Sequence, residues 1–389
     1  MKLIRLLFAF AALAAMVGCA TAPKAPPLAG GEVFLDSAFK PPSVHIDPQE
    51  ALALSPAMQQ FADEMSAEIR RKDPRRGLFD ALYTRGMLQL DYDTEATRTA
   101  AEAFEARRGN CMSLVLMTAA FAQYMNMPVR FNSVFVEDSW VRSGGIYFAT
   151  GHVNIGLGKP VAPGNTISLI GDPDLVTIDF LRPEQSARYR SHAVDESTIV
   201  AMFLNNRAAE SLAMGNLDDA YWWARAAIQT DPRWLAAYNT LAVLYRRKGL
   251  SGAAESTLRL VLDREPLNQM ALTNIVVVLN DTGRSDEAHR YAKQLAQIRP
   301  IPPYHYFDLG VAAMRAGDYD GARKLFRKEI ARAAYVPEFH FWLGVAHYQL
   351  GDLFAARNEL AKAKDNSSTV RDRELYGAKL AWLNEQRRH

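Results

Sequence analysis

Cysteine is almost missing from this chain: its 389 residues include only Cys19 and Cys111. That scarcity excludes a multi-bridge disulfide framework and every zinc arrangement built on paired cysteines, so each thiol needs its own explanation. A charge excess is missing as well. Lys plus Arg number 45 against 43 Asp plus Glu, leaving a formal net charge of +2 and no field suited to holding nucleic acid. Long apolar runs are confined to the N-terminus, which excludes a polytopic membrane protein. What is present is a globular composition, 49% hydrophobic and 23% charged, in a length suited to roughly two or three domains. No cofactor and no metal ligand set is predicted.

Lys2 and Arg5 precede an apolar run, Leu6 to Val17, that is too short to span a bilayer, the pattern of a signal peptide over residues 1–18. Its end, Met16-Val17-Gly18-Cys19, resembles the bacterial lipobox, with Met16 where Leu is more usual. The resemblance implies that Cys19 becomes the lipidated first residue of the mature protein. Ala20 stands where an inner-membrane retention signal places Asp, which by the same resemblance implies the outer membrane, facing the periplasm. An ordinary secretory cleavage site with Cys19 incidental is the alternative. Residues 19–33 are Ala- and Pro-rich and predict an extended tether.

The C-terminal half has a period. Gly215, Gly249, Gly283, Gly317 and Gly351 recur every 34 residues, and so do Ala220, Ala254, Ala288, Ala322 and Ala356. Pro232, Pro266 and Pro300 keep the same interval, each closing a helical stretch. Every unit reads as two amphipathic helices joined at its glycine, with the alanine where the helices cross closely. A 34-residue unit resembles the tetratricopeptide repeat, which implies five repeats over residues 193–369 and a capping helix over 370–389 built on Leu375, Leu380, Trp382 and Leu383. Such a stack leaves a concave groove, along which Asn205, Asn239, Thr273, Phe307 and Phe341 share one repeat position. A protein partner in that groove is expected; the alternative is that the two phenylalanines only complete packing between units.

Residues 34–192 predict helices followed by antiparallel strands, an α+β domain. Helices are expected over Leu78 to Met87 and Thr94 to Arg107, and a third opens at Cys111 behind the N-cap Asn110 and runs to about Met125. Strands are expected over Val129 to Glu137, Ile146 to Leu157, Thr166 to Ile170 and Leu175 to Phe180. A cysteine at a helix N-terminus is chemically suggestive, because the unpaired N–H groups and the dipole favour thiolate, with pKa values of ~3.5–7.5 rather than ~8.5. A small buried helix residue is the bland alternative. A nucleophilic thiolate needs an imidazole, and of the eight histidines His152 at a strand start suits best, whereas His192 reads as solvated. The run Arg70 to Arg76 reads as a solvated basic face.

Tyr92, Ala101 and Ala103, then Arg108-Gly109-Asn110-Cys111, then Ala119, Ala120 and Met127-Pro128-Val129-Arg130, followed by Gly151-His152-Val153 and Val176-Thr177-Ile178-Asp179, together resemble the transglutaminase-like superfamily. The resemblance implies a papain-like α+β domain with a Cys111, His152, Asp179 triad. Asn154 stands where the family often has an aromatic residue, and the interval from histidine to aspartate is long. The third member is therefore open between Asp179 and Asp172 or Asp174, and Asp172-Pro173-Asp174 reads as a turn. The expectation is a lipid-anchored envelope cysteine hydrolase or acyltransferase acting on amide bonds of a peptide or protein, with the repeats recruiting substrate or partner. The alternatives are a non-catalytic repeat adaptor and a protein-crosslinking transglutaminase.

Overall fold

The computed structural model describes residues 33–70, 73–84, 91–92, 96–135, 140–143, 146–149, 152–160, 174–180, 190–367 and 370–385. The signal peptide, Cys19, most of the tether, Gly151, Asp172 and the strand expected at Thr166 to Ile170 lie outside them.

Helices α1 (Pro56–Arg70) and α2 (Pro74–Phe79) come first, and α2 runs on into a π-helical turn, Asp80–Thr84. A two-residue strand β1 (Asp91–Tyr92) precedes α3 (Ala100–Ala106), β2 (Arg108–Gly109) and α4 (Cys111–Tyr124). The α3 helix starts later than the sequence suggests because Thr99 and Glu102 form a reciprocal capping box. Apolar on every side, α4 is buried from Met112 to Ala122, as such a helix must be. The strands β3 (Val129–Phe135), β4 (Trp140–Ser143), β5 (Ile146–Ala149), β6 (His152–Leu157), β7 (Val176–Ile178) and β8 (Arg190–Val194) follow. Four of them make an antiparallel sheet in the order β7-β6-β3-β8, and α4 packs on it through β6 and β3. The single run expected from Ile146 to Leu157 is two strands, since β5 pairs with β4 and β6 with β3. The sheet reaches Val194, opposite Phe131, two residues beyond the expected domain boundary.

Five helix pairs follow: α5 (Glu196–Ala213) with α6 (Leu217–Thr230), α7 (Leu235–Arg247) with α8 (Ser251–Arg264), α9 (Gln269–Asp281) with α10 (Ser285–Ile298), α11 (His305–Arg315) with α12 (Tyr319–Arg332), and α13 (Pro337–Gln349) with α14 (Leu353–Asn366). The five periodic glycines sit between the helices of each pair with φ from +76° to +85°, where an L side chain is strained. The five alanines are at most 2% exposed, which explains their size. Helix α15 (Val370–Glu385) closes the stack. It does so with Tyr376, Leu380 and Leu383, whereas Leu375 and Trp382 face solvent.

Residues 34 to about 43 do not belong to the α+β unit as the sequence reading assigned them. They strap across the first two repeats: Phe39 stacks on Tyr221 at 3.9 Å, Ser43 hydrogen-bonds Asp219, Asp36 pairs with Arg225, and Leu35 N–H donates to Tyr245. One apolar core runs from Phe39 through α4 and the sheet into the first three repeats. No helix among the described residues is long and apolar enough to cross a membrane.

Candidate functional site

The site is built around the start of α4. Asn110 is extended, and its Oδ1 accepts from Ser113 N–H at 2.9 Å, so the N-cap expected from the sequence is formed. Cys111 follows at the first helical position and is partly exposed. Gly109 precedes the cap because space is short: a Cβ there would lie 2.7 Å from Ser113 Cβ.

His152 opens β6 and is 5% exposed. Its Nε2 lies 2.7 Å from Asp179 Oδ1, just beyond the end of β7. Cys111 lies near enough to the imidazole to favour its charged form. Burial alone would lower the His152 pKa, but the Asp179 hydrogen bond, with Cys111 nearby, prevails and pushes it up to about 9. Asp179 is steadied from behind: the adjacent Phe180 ring packs against Tyr83 at 5.3 Å, and Tyr83 bonds Thr118 of α4 at 2.6 Å.

Of the alternatives for the third position, Asp174 pairs with Lys159 at 2.7 Å on an exposed turn, and Asp172 lies outside the described residues. His192 is exposed on β8. The basic run is not wholly a solvated face, since Arg75 is 5% exposed and folds back on Asp73.

Two groups of supporting residues surround this constellation, and the roles of Thr97, Glu210, Arg207 and Asn132 in them carry no signal in the sequence alone. Asn110 Nδ2 donates to Thr97 Oγ1 at 2.8 Å, Thr97 N–H donates to Glu210, and Arg207 donates to Thr97 C=O. Glu210 and Arg207 belong to α5, so the first repeat helix holds the loop that holds the cap. On the other side, Asn154 Nδ2 donates to Asp179 Oδ2 at 2.9 Å, and Asn132 Nδ2 donates to Asn154 Oδ1 at 2.8 Å. The signal for Asn154 was its period-2 spacing from His152, which puts both on one side of β6.

In the expected groove, Phe307 is buried in the core of the fourth repeat and Phe341 stacks on Tyr376 of α15. Both complete packing between units. Away from these sites, His45, Asp47 and Glu50 offer ligand atoms within 4.8 Å of one another on a surface turn, where Asp47 already caps Gln49 N–H.

Residues 307–369 match the tetratricopeptide repeat family. The last two helix pairs, α11 to α14, are tetratricopeptide repeats. Similar solved structures include a thermophilic TPR protein of Thermus thermophilus, 18% identical, with 47% of this chain and 98% of that one covered and a TM-score of 0.31. The Pseudomonas aeruginosa protein pilF is 20% identical, with 50% and 88% covered and a TM-score of 0.30. A tetratricopeptide repeat protein of Parabacteroides merdae is 14% identical, with 48% and 73% covered and a TM-score of 0.27. No curated protein matches. Repeats of this kind suggest a protein-interaction role.

Proposed function

We propose that this chain is a lipid-anchored envelope enzyme of the transglutaminase-like type, in which Cys111, His152 and Asp179 transfer an acyl group from an amide and the repeats recruit the peptide or protein that carries it. The observation that carries this reading is His152, buried and paired with Asp179 at 2.7 Å, with Cys111 at the start of α4 near enough to act on its charge. With Nε2 on Asp179, the other ring nitrogen is left for sulfur.

The chemistry follows from those contacts. The Cys111 thiolate attacks the amide carbon, a C–S bond forms, and the carbonyl π pair moves to oxygen. The Cys111 backbone N–H, without an intrahelical acceptor at the first position of α4, is suited to stabilising that oxyanion. Collapse breaks the C–N bond, and the departing amine takes the proton of imidazolium His152. Neutral His152 then removes a proton from water, which attacks the thioester; the C–S bond breaks and the thiolate and imidazolium are restored. A primary amine in place of water gives cross-linking. Hydrolysis is the preferred outcome, and Cys19 would hold the enzyme at the outer membrane.

The test uses a p-nitrophenyl ester as acyl donor. Intact-mass analysis is expected to show a hydroxylamine-sensitive adduct on wild-type protein and none on Cys111→Ala. Added dansylcadaverine separates the routes: recovery of free acid supports hydrolysis, and a dansyl amide supports transamidation. An adduct that survives in Cys111→Ala, or none on wild type, overturns the catalytic reading and leaves the repeat adaptor.

A further inference from the structure

We propose that Asn154, itself oriented by Asn132, is a positioning residue that fixes Asp179 toward His152. The inference rests on the cysteine-enzyme reading and adds to it a polar relay running across the sheet.

Asn132 and Asn154 are directly opposed in the antiparallel register of β3 and β6. They are 3% and 7% exposed, so each amide must find partners within the protein. An amide has one donor end and one acceptor end, and here the polarity is decided. Asn132 donates to Asn154 Oδ1, which turns Asn154 Nδ2 toward Asp179 Oδ2. Flipping Asn154 would set its oxygen against a carboxylate oxygen and its NH2 against the NH2 of Asn132, two repulsive contacts for two bonds. The two oxygens of Asp179 are thereby distinguished: Oδ2 takes the amide, and Oδ1 faces His152 Nε2.

The chemical identity of the relay also matters. A lysine or arginine at residue 154 would hold Asp179 equally well but would offset the negative charge that favours imidazolium at His152. A neutral amide gives direction and leaves the charge in place. A phenylalanine could supply no such donor.

Two readouts test this, both on the full chain: the rate of Cys111 alkylation by iodoacetamide, which needs no substrate, and turnover of the p-nitrophenyl ester. Asn154→Ala should lower kcat by about 10- to 100-fold with KM little changed. Asn132→Leu should also lower kcat, and the double variant should be no worse than Asn154→Ala, because Asn132 acts through Asn154. Asn154→Asp supplies a distinctive signature. At low pH its neutral carboxyl can donate to Asp179 as the amide does; as pH rises the shared proton leaves and the two carboxylates repel. Its alkylation rate relative to wild type should therefore fall with rising pH, a limb absent from Asn154→Ala. Side-chain amide resonances of Asn154 in the wild type, shifted when Cys111 is alkylated, give a check that needs no variant to fold. Unchanged kcat in Asn154→Ala, or losses that add in the double variant, overturn the relay. Activity that survives in Cys111→Ala overturns the underlying enzyme reading instead.

Discussion

Asp179→Asn keeps the shape of the side chain and removes its charge, and the structure gives the size of the effect. His152 stands at about 9 against an ordinary 6.5, a gap worth ~3 kcal/mol in favour of imidazolium. Burial works against that gap, so the partners supply more than the net value, and among those that raise it the Asp179 hydrogen bond ranks first. Loss of a charge at hydrogen-bond distance moves a pKa by about 1–3, so His152 in the variant should titrate near 7. A group raised in the folded state contributes its stability in full below the unfolded value and loses it as pH rises through the folded one. The stability advantage of wild type over the variant should therefore fade as pH climbs toward about 9. Between about pH 7 and 9 His152 is charged in the wild type and neutral in the variant, so Cys111 alkylation should be slower in the variant within that window. The assay is NMR titration of the His152 ring protons, assigned by their loss in His152→Gln. A wild-type midpoint near the ordinary 6.5, or identical midpoints in both proteins, would refute the reasoning.

Gly109→Ala places a Cβ 2.7 Å from Ser113 Cβ and should cost ~1–3 kcal/mol in denaturant melts while slowing Cys111 alkylation, since Ser113 ties Asn110 to Arg98 N–H. Burial holds the Glu210 carboxyl above its usual range, and the stability tied to such a raised acid is lost as pH rises through its folded value. Glu210→Gln, which keeps an acceptor for Thr97 N–H, should therefore raise Tm at neutral pH, whereas Glu210→Ala leaves that N–H unmet and should lower stability by ~1–3 kcal/mol. Phe39→Ala removes a ring 6% exposed and stacked on Tyr221, and equilibrium unfolding should show a loss of ~3–5 kcal/mol.

What could be read from the sequence was mostly local or periodic. The repeat glycines carry their backbone demand with them, and their positive φ angles match it. Asn110 caps Ser113 three residues away, so its role needs no tertiary information. His152 and Asp179 could be paired from strand order and resemblance. The supports were hidden because they depend on register and on elements far apart in the chain. Asn132 meets Asn154 only once β3 and β6 are aligned, and Thr97 meets Glu210 across 113 residues. The strap is not legible for another reason: residues 33–43 have no periodicity, and their anchor is a stacking contact with Tyr221. In α15 the apolar spacing is legible, but not which side meets the stack, so Leu375 and Trp382 stand exposed rather than in the cap's core.

The shared core decides how substrate recruitment by the repeats can be tested. A cut at Ser197 would remove Arg207 and Glu210, which hold the Thr97 loop and through it Asn110. It would also strip Tyr221 and Tyr245 from the strap and expose the part of the core shared by α4 and the first three repeats. Such a fragment is expected to lose cooperative unfolding and Cys111 alkylation together, which would say nothing about recruitment. The last two repeats are different, since the fourth shares an apolar cluster from Tyr304 to Ala346 with α13 of the fifth, and a further cluster from Ala356 joins the fifth to α15, both apart from the core of the first three. Truncation after Ile298 should therefore leave the core from Phe39 to Ala288 in place, with Cys111 alkylated at the wild-type rate. If that shorter chain keeps its thiol reactivity and ester turnover but processes a large protein substrate poorly, the distal repeats recruit. If it loses thiol reactivity as well, the solenoid is one cooperative unit with the cysteine site and the two-part description of the chain fails.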